Sequence, residues 1–101
     1  MDIFWYTLAK RQLKATYFFY AEIAGKDVAK KMVKGIATRT NQLLKHPKSG
    51  ILEQRLANRP FEYRYIIYRH FKIYYFVASE SIQITAVFDS RQDPNKVLAL
   101  L

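Results

Sequence analysis

No cysteine occurs among the 101 residues, which excludes disulfide frameworks, zinc–thiolate sites and thiol nucleophiles. The same absence fits a reducing cytoplasm. No apolar run approaches the roughly 20 residues that span a bilayer. The opening MDIFWYTLAK has neither the basic start nor the apolar run of a signal peptide. The expectation is a soluble cytoplasmic protein with no membrane association. Phosphate-loop, dinucleotide and nucleophile-elbow fingerprints are missing, as are repeats and low-complexity tracts. The only histidines, His46 and His70, fall outside any metal-ligand spacing, so neither a metal nor another cofactor is expected.

Acidic residues are scarce. Eight Asp and Glu face 17 Lys and Arg, a formal charge of +9. Such a field attracts polyanions and acidic proteins over about 8–10 Å. Nucleic acid, an anionic membrane surface or an acidic protein chain would each satisfy it. Apolar residues, in contrast, are plentiful at 50%, and aromatics reach 16%. A chain of this length and content builds one domain, residues 1–101, around a single modest core.

Asp2–Tyr6 is short and aromatic, and fits an N-terminal strand. Thr7 stands where a helix N-cap would, and Leu13, Tyr17, Tyr20 and Ala24 then share one helical face. Gly25 breaks this helix. A second runs from about Lys26 to Lys45, with Ala29, Met32, Val33, Ile36, Thr40, Leu43 and Leu44 as its apolar stripe. Lys30, Lys31 and Lys34 lie elsewhere on its surface. Joined by so short a connection, the two helices pack as an antiparallel hairpin. Ile51–Leu56 suits either a helical turn or an extended segment, and Asn58-Arg59-Pro60 is a breaker.

From Phe61 to Arg91 the residues are aromatic and β-branched with cations among them, and three strands are predicted. Tyr63–Tyr68, Ile73–Val77 and Ile82–Phe88 form these strands, with tight connections around Arg69–His70 and Ala78–Ser81. Asp93 as cap and Pro94 at the first helical position predict a short terminal helix. The order is β–α–α–β–β–β with a possible last helix. The fold class is α+β, a helical hairpin on an antiparallel meander, with the first strand at a sheet edge.

Arg64, Lys72 and Arg91 are the candidate functional cations. In a meander the outer strands both flank the middle one, so the three can converge on one face and hold a phosphate backbone. Their plain alternative is a solvent-facing role on the sheet. His70, in a hairpin connection, is a candidate acid or base, and Glu53 before the sheet is a lone carboxylate. Asp89 and Asp93 flank Arg91 as an ion-pair partner and a cap.

These pieces in this order resemble the RelE/ParE superfamily of toxins from bacterial type II toxin–antitoxin modules, which includes the plasmid stabilisation proteins. The resemblance rests on the aromatic first strand, the basic hairpin, LLKHPKSG, the pair YRYIIYRHFKIYYFV and the ending VFDSRQDP. It implies a growth-arresting toxin and a cognate antitoxin from an adjacent gene, assembled together as a hetero-oligomer. The target implied is DNA gyrase in the ParE branch, or messenger RNA on the translating ribosome in the RelE branch. RelE-like members would be metal-independent endonucleases; ParE-like members have no enzymatic activity of their own. Arg64, Lys72 and Arg91 match family cations, and Glu53 or His70 would assist proton transfer in a nuclease. Lys30, Lys31 and Lys34 join those three cations as candidates for target or antitoxin binding. A second first-strand cation falls at Ile66 and the RelE terminal tyrosine near Val97, so both groups are missing. These departures place the chain closer to the ParE branch. A non-toxic basic module for RNA or protein is the reading from another class.

Overall fold

The computed structural model describes all 101 residues. Strand β1 (Asp2–Trp5) leads into helices α1 (Thr7–Ala24) and α2 (Lys26–Asn41), with a 3-10 turn at Gln42–Leu44. A two-residue strand β2 (Ile51–Leu52) and a 3-10 turn at Gln54–Leu56 follow. Strands β3 (Arg64–Tyr68), β4 (Phe71–Ala78) and β5 (Ser81–Asp89) then precede helix α3 (Pro94–Leu98). The sheet runs β1-β5-β4-β3-β2, with β1 parallel to β5 and every other pair antiparallel. The α+β order predicted from the sequence is therefore present, with β1 at one edge. Ile51–Leu56 resolves into both of its alternatives, a strand and then a turn, and widens the meander to four strands, five in the sheet with β1.

Alternation along β3, β4 and β5 divides the core in two. Ile66, Ile73, Tyr75, Ile82, Ile84 and Val87 face the hairpin and pack with Ala9, Met32, Ile36 and Leu43. Tyr74, Ala86 and Phe88 face the other way, under Leu56, Val97 and Leu98. The helices are thus not all on one face, because α3 folds over the side that α1 and α2 leave open. Each fully buried aliphatic side chain contributes roughly 1.5–3 kcal/mol.

Thr85 is the extra residue of a β-bulge in β5, since Tyr74 pairs with Ala86 while Tyr75 pairs with Ile84. Its hydroxyl donates to the Tyr74 carbonyl at 3.3 Å. Just beyond it, the Val87 N–H donates to Gln12 Oε1 at 2.7 Å, fastening α1 to the sheet. The sequence-based helix limits need two corrections. Thr7 is the first helical residue, not the cap, and the capping position falls at Tyr6 with no side-chain hydrogen bond. Helix α2 ends at Asn41 and tightens into the 3-10 turn, which leaves Leu44 of the expected stripe exposed. Gly25 separates the helices at φ 96°, a conformation that favours glycine.

Candidate functional site

The three candidate cations do not converge. Arg64 lies on the hairpin side of β3, in line with Ile66 and Tyr68, opposite Tyr75 on β4. Its guanidinium donates to the Gly50 carbonyl at 2.9 Å and to Glu62 Oε1 at 2.7 Å, and its side chain is only 17% exposed. Gly50 in turn donates its N–H to the Tyr75 hydroxyl at 2.9 Å. Arg64 therefore pins the loop before β2 to the sheet. Burial raises the Tyr75 phenol above its ordinary value, and the Gly50 N–H, then the positive charges of Arg64 and Arg39, act against that rise.

Lys72 projects from the opposite face, the side of Tyr74 and Phe76, with its ammonium 4.6 Å from the centre of the Tyr65 ring. Arg91 lies past the end of β5 with 66% of its side chain exposed. It is paired with Asp89 through its Nε and a terminal guanidinium nitrogen. Those hydrogen bonds hold the Asp89 carboxyl down at about 2 and raise Arg91. The expected local pair of Asp89 with Arg91 is present, and so is the cap, since Asp93 Oδ1 accepts from the Asn95 N–H at 3.0 Å.

The separation of Arg64 from Lys72 has a signal in the sequence itself. A two-residue turn at Arg69–His70 makes Tyr68 and Phe71 partners, and counting back pairs Arg64 with Tyr75. Tyr75 and Lys72 are three residues apart on one strand, so they point to opposite faces. The turn was legible; the parity it imposes separates the two cations. Ile66 shares the hairpin face and is almost fully buried, and Val97 is buried beneath the sheet. A cation at the first of these positions would sit inside the main core.

Glu53 is buried, its carboxylate accepting from the Tyr74 hydroxyl at 3.1 Å and from the Arg55 N–H at 3.1 Å. Burial first, and the Glu53 charge second, hold the Tyr74 phenol well above its ordinary value. His70 occupies the hairpin turn as expected, and its Nε2 is 2.8 Å from the Tyr20 hydroxyl and 3.9 Å from Asp89 Oδ2. Tyr20, Asp89 and Arg91 border a cleft of about 320 Å³ between α1 and the end of β5, with Gln12 and Thr16 along its α1 wall. Tyr20 is a partner that spacing did not disclose, because it lies 50 residues from His70.

Lys30, Lys31 and Lys34 are exposed on α2. Lys31 and Lys34 join Arg39, Gln42 and Tyr68 in a groove of about 410 Å³ that no carboxylate lines. Arg39 is held there by donating from Nε to the Ile67 carbonyl at 3.2 Å, and Arg69 lies over the Tyr68 ring at 5.6 Å. The ring reaches this groove because Gly35 has no side chain: a Cβ there would overlap the Tyr68 ring. The groove thus gathers three cations, Lys31, Lys34 and Arg39, on the helical side. No helix is long and apolar enough to cross a membrane.

This architecture is similar to that of a solved structure described as the chromosomal ParDE TA system from P. aeruginosa. The TM-score is 0.74 at 24% identity, covering 88% of this chain and 95% of the other. No curated protein matches the sequence. The family model for the ParE toxin of the type II toxin-antitoxin system, parDE, matches residues 3–94. With nearly the whole sequence matched, from β1 to the start of α3, the chain belongs to the ParE toxin family of type II toxin–antitoxin systems.

Proposed function

We propose that this chain arrests bacterial growth by inhibiting DNA gyrase, and that an antitoxin encoded beside it blocks that action. Family membership supports the toxin role. The observation that carries the choice of branch is the division of the candidate cations: Arg64 is committed to the Gly50 carbonyl on one face and Lys72 stands on the other. A scissile phosphate held between them would have to pass through the sheet. The Glu53 carboxylate is already engaged by the Tyr74 hydroxyl and the Arg55 N–H. Electrostatic stabilisation of a phosphoryl transition state needs donors aimed at one point. The exposed α2 lysines, together on the hairpin side, instead suit contact with an anionic surface.

The antitoxin is an acidic, amphipathic segment that folds on binding and covers the basic hairpin. The solved relative, described as a ParDE system, supports a toxin–antitoxin assembly for this chain too. The cationic groove at Lys31, Lys34 and Arg39 is its charged contact.

Induction in a host lacking the antitoxin tests the whole reading, with arrested growth expected and restored growth on co-expression. Purified protein should trap gyrase on cleaved DNA, and cells should mount a DNA-damage response. Codon-positioned cuts in translating messages would replace gyrase by messenger RNA. Normal growth with folded, soluble protein would favour a basic binding module and sink the toxin reading.

A further inference from the structure

Two grooves flank α2, and they differ in kind. The one between the helices, about 440 Å³, is mainly apolar, with Trp5, Leu13, Tyr17 and Val33 in its wall. The other is the cationic groove, lined by Lys31, Lys34, Thr38, Arg39, Gln42 and Tyr68, with no leucine, isoleucine, valine or phenylalanine. Val33 stands about 200° around the helix from Lys31, so the grooves open on opposite sides of α2.

The charge of the second groove is local. The ion pairs of the chain are Arg64 with Glu62, and His70 and Arg91 with Asp89, so no carboxylate neutralises Lys31, Lys34 or Arg39. Asp27, the only acidic residue of α2, lies one turn before Lys31 and does not line the groove. Arg69 adds a fourth cation at the margin, over the Tyr68 ring that packs on Gly35. Arg39 is held in place: Nε donates to the Ile67 carbonyl and a terminal nitrogen donates to Gln42 Oε1 at 3.1 Å. A guanidinium has five N–H donors, so three remain for a ligand.

We propose that in the free toxin this groove seats the sugar–phosphate backbone of duplex DNA, without regard to sequence. Lys31 and Arg39 are eight residues apart, about 12 Å along the helix at 1.5 Å per residue. One strand of B-DNA carries a phosphate for about every 3.4 Å of axis, so the stripe spans about three or four phosphates. A stiff duplex keeps that spacing against a rigid helix. An amphipathic protein segment anchors through apolar side chains, and the wall that suits them is on the other side of α2. The antitoxin, anchored there, reaches the groove with its acidic residues and competes with DNA for the same cations. This contact deepens the gyrase reading and the competition rests on it; the DNA binding itself is measured without gyrase.

The test is fluorescence anisotropy of the full chain with a labelled duplex of about 20 base pairs, from about 50 to 200 mM salt. The single strand of the same length and oligoglutamate serve as comparisons. Neutralising three or four phosphates gives a slope of about −2.7 to −3.6 in log affinity against log salt, a loss of about 40- to 150-fold over that range. Lys31→Gln and Lys34→Gln should each make the slope shallower by about one. Lys96→Gln on α3, beyond the other face of the sheet, removes the same charge and should leave the slope unchanged. All three lysines are exposed, and circular dichroism checks that each variant is folded. The single strand should bind more weakly than the duplex. No duplex binding at the lowest salt, a slope unmoved by the Lys31→Gln, Lys34→Gln double variant, an equal change with Lys96→Gln, or tighter binding of the single strand would overturn the proposal. So would a double variant that loses oligoglutamate but keeps the duplex, which gives the groove to an acidic protein alone. The expected slopes without trapped gyrase would uphold the groove and sink the gyrase reading. Trapped gyrase with slopes that the double variant leaves unmoved would sink the groove and spare that reading.

Discussion

Replacing Arg64 by alanine should act first on stability and only through it on activity. The perturbation removes the donor to the Gly50 carbonyl, in a glycine that is buried and whose own N–H is held by the Tyr75 hydroxyl. An acceptor left without its partner inside the protein costs about 1–3 kcal/mol. The second contact, to Glu62, adds little, because that carboxylate is well exposed and such pairs contribute about 0–1 kcal/mol. The expected loss is about 2 kcal/mol. For a domain near 100 residues each kcal/mol moves the melting point by about 4–8 °C, so the midpoint should fall by about 8–16 °C.

Thermal melts followed by circular dichroism make the measurement, with Glu62→Ala as the control for the exposed pair. That control should shift the midpoint by less than about 8 °C. Arg64→Lys should recover only part of the loss, since one ammonium cannot reproduce a forked pair of contacts. An Arg64→Ala protein that melts within about 3 °C of the unmodified chain, yet has lost toxicity, would refute the structural role. Arg64 would then be a functional cation after all.

Four other perturbations follow from the same structure. Gly50→Ala should destabilise by about 1–3 kcal/mol in urea titrations, because the new Cβ would meet the fully buried Tyr75 ring at 2.7 Å and its hydroxyl at 2.5 Å. The Ser79-Glu80 turn holds both residues at positive φ, 51° and 60°, so replacing the pair by Asn-Gly should raise stability by about 1 kcal/mol, read from the same titration. Asp89 is held at about 2, below its ordinary value of 3.8, so its contribution is present above pH 4 and lost as pH falls from 4 towards 2. Exposure of its partner limits that contribution to under about 1 kcal/mol, and Arg91→Gln should flatten the acid limb of urea midpoints measured between pH 5 and 2. Tyr63, Tyr74 and Tyr75 are raised above 10, so unfolding releases protons in alkali: stability should be steady below pH 10 and fall above it, with Tyr74→Phe weakening that fall.

Element order was legible because the periodicity of 3.6 gives way to alternation at a marked breaker, Asn58-Arg59-Pro60. The terminal helix was legible from Asp93 and Pro94, whose capping roles are local. Thr7 misled because it carries cap chemistry one residue too late: just past the end of β1, the Tyr6 N–H still donates to the Ile84 carbonyl at 2.8 Å. Strand β2 was only half visible, since two residues are too few for any period. Its pairing is set by Arg64 and Tyr65 on β3, a dozen residues away.

The candidate site was less legible, and the reason is geometric. A sheet face is chosen by parity, and parity depends on register, so residue type alone cannot say which side a cation takes. Arg64 and Lys72 look alike in a string of aromatics, yet one is a clamp in the core layer and the other a free ammonium over a ring. Tyr20 and His70 meet only because α1 packs against the β3–β4 turn, and a row of rings, Phe4, Tyr6 and Phe76, forms only because parallel pairing with β5 sets Phe4 against Gln83. That pairing also dictates what Phe4 can do. Shifted by one residue along β5, its ring would turn to the hairpin side and the row would lose its outer end. An exposed phenylalanine at a sheet edge offers an aggregation surface unless something covers it. Phe4, Tyr6 and Phe61 all stay open on one face only because this register holds, with Phe76 buried behind Tyr6 and Phe61.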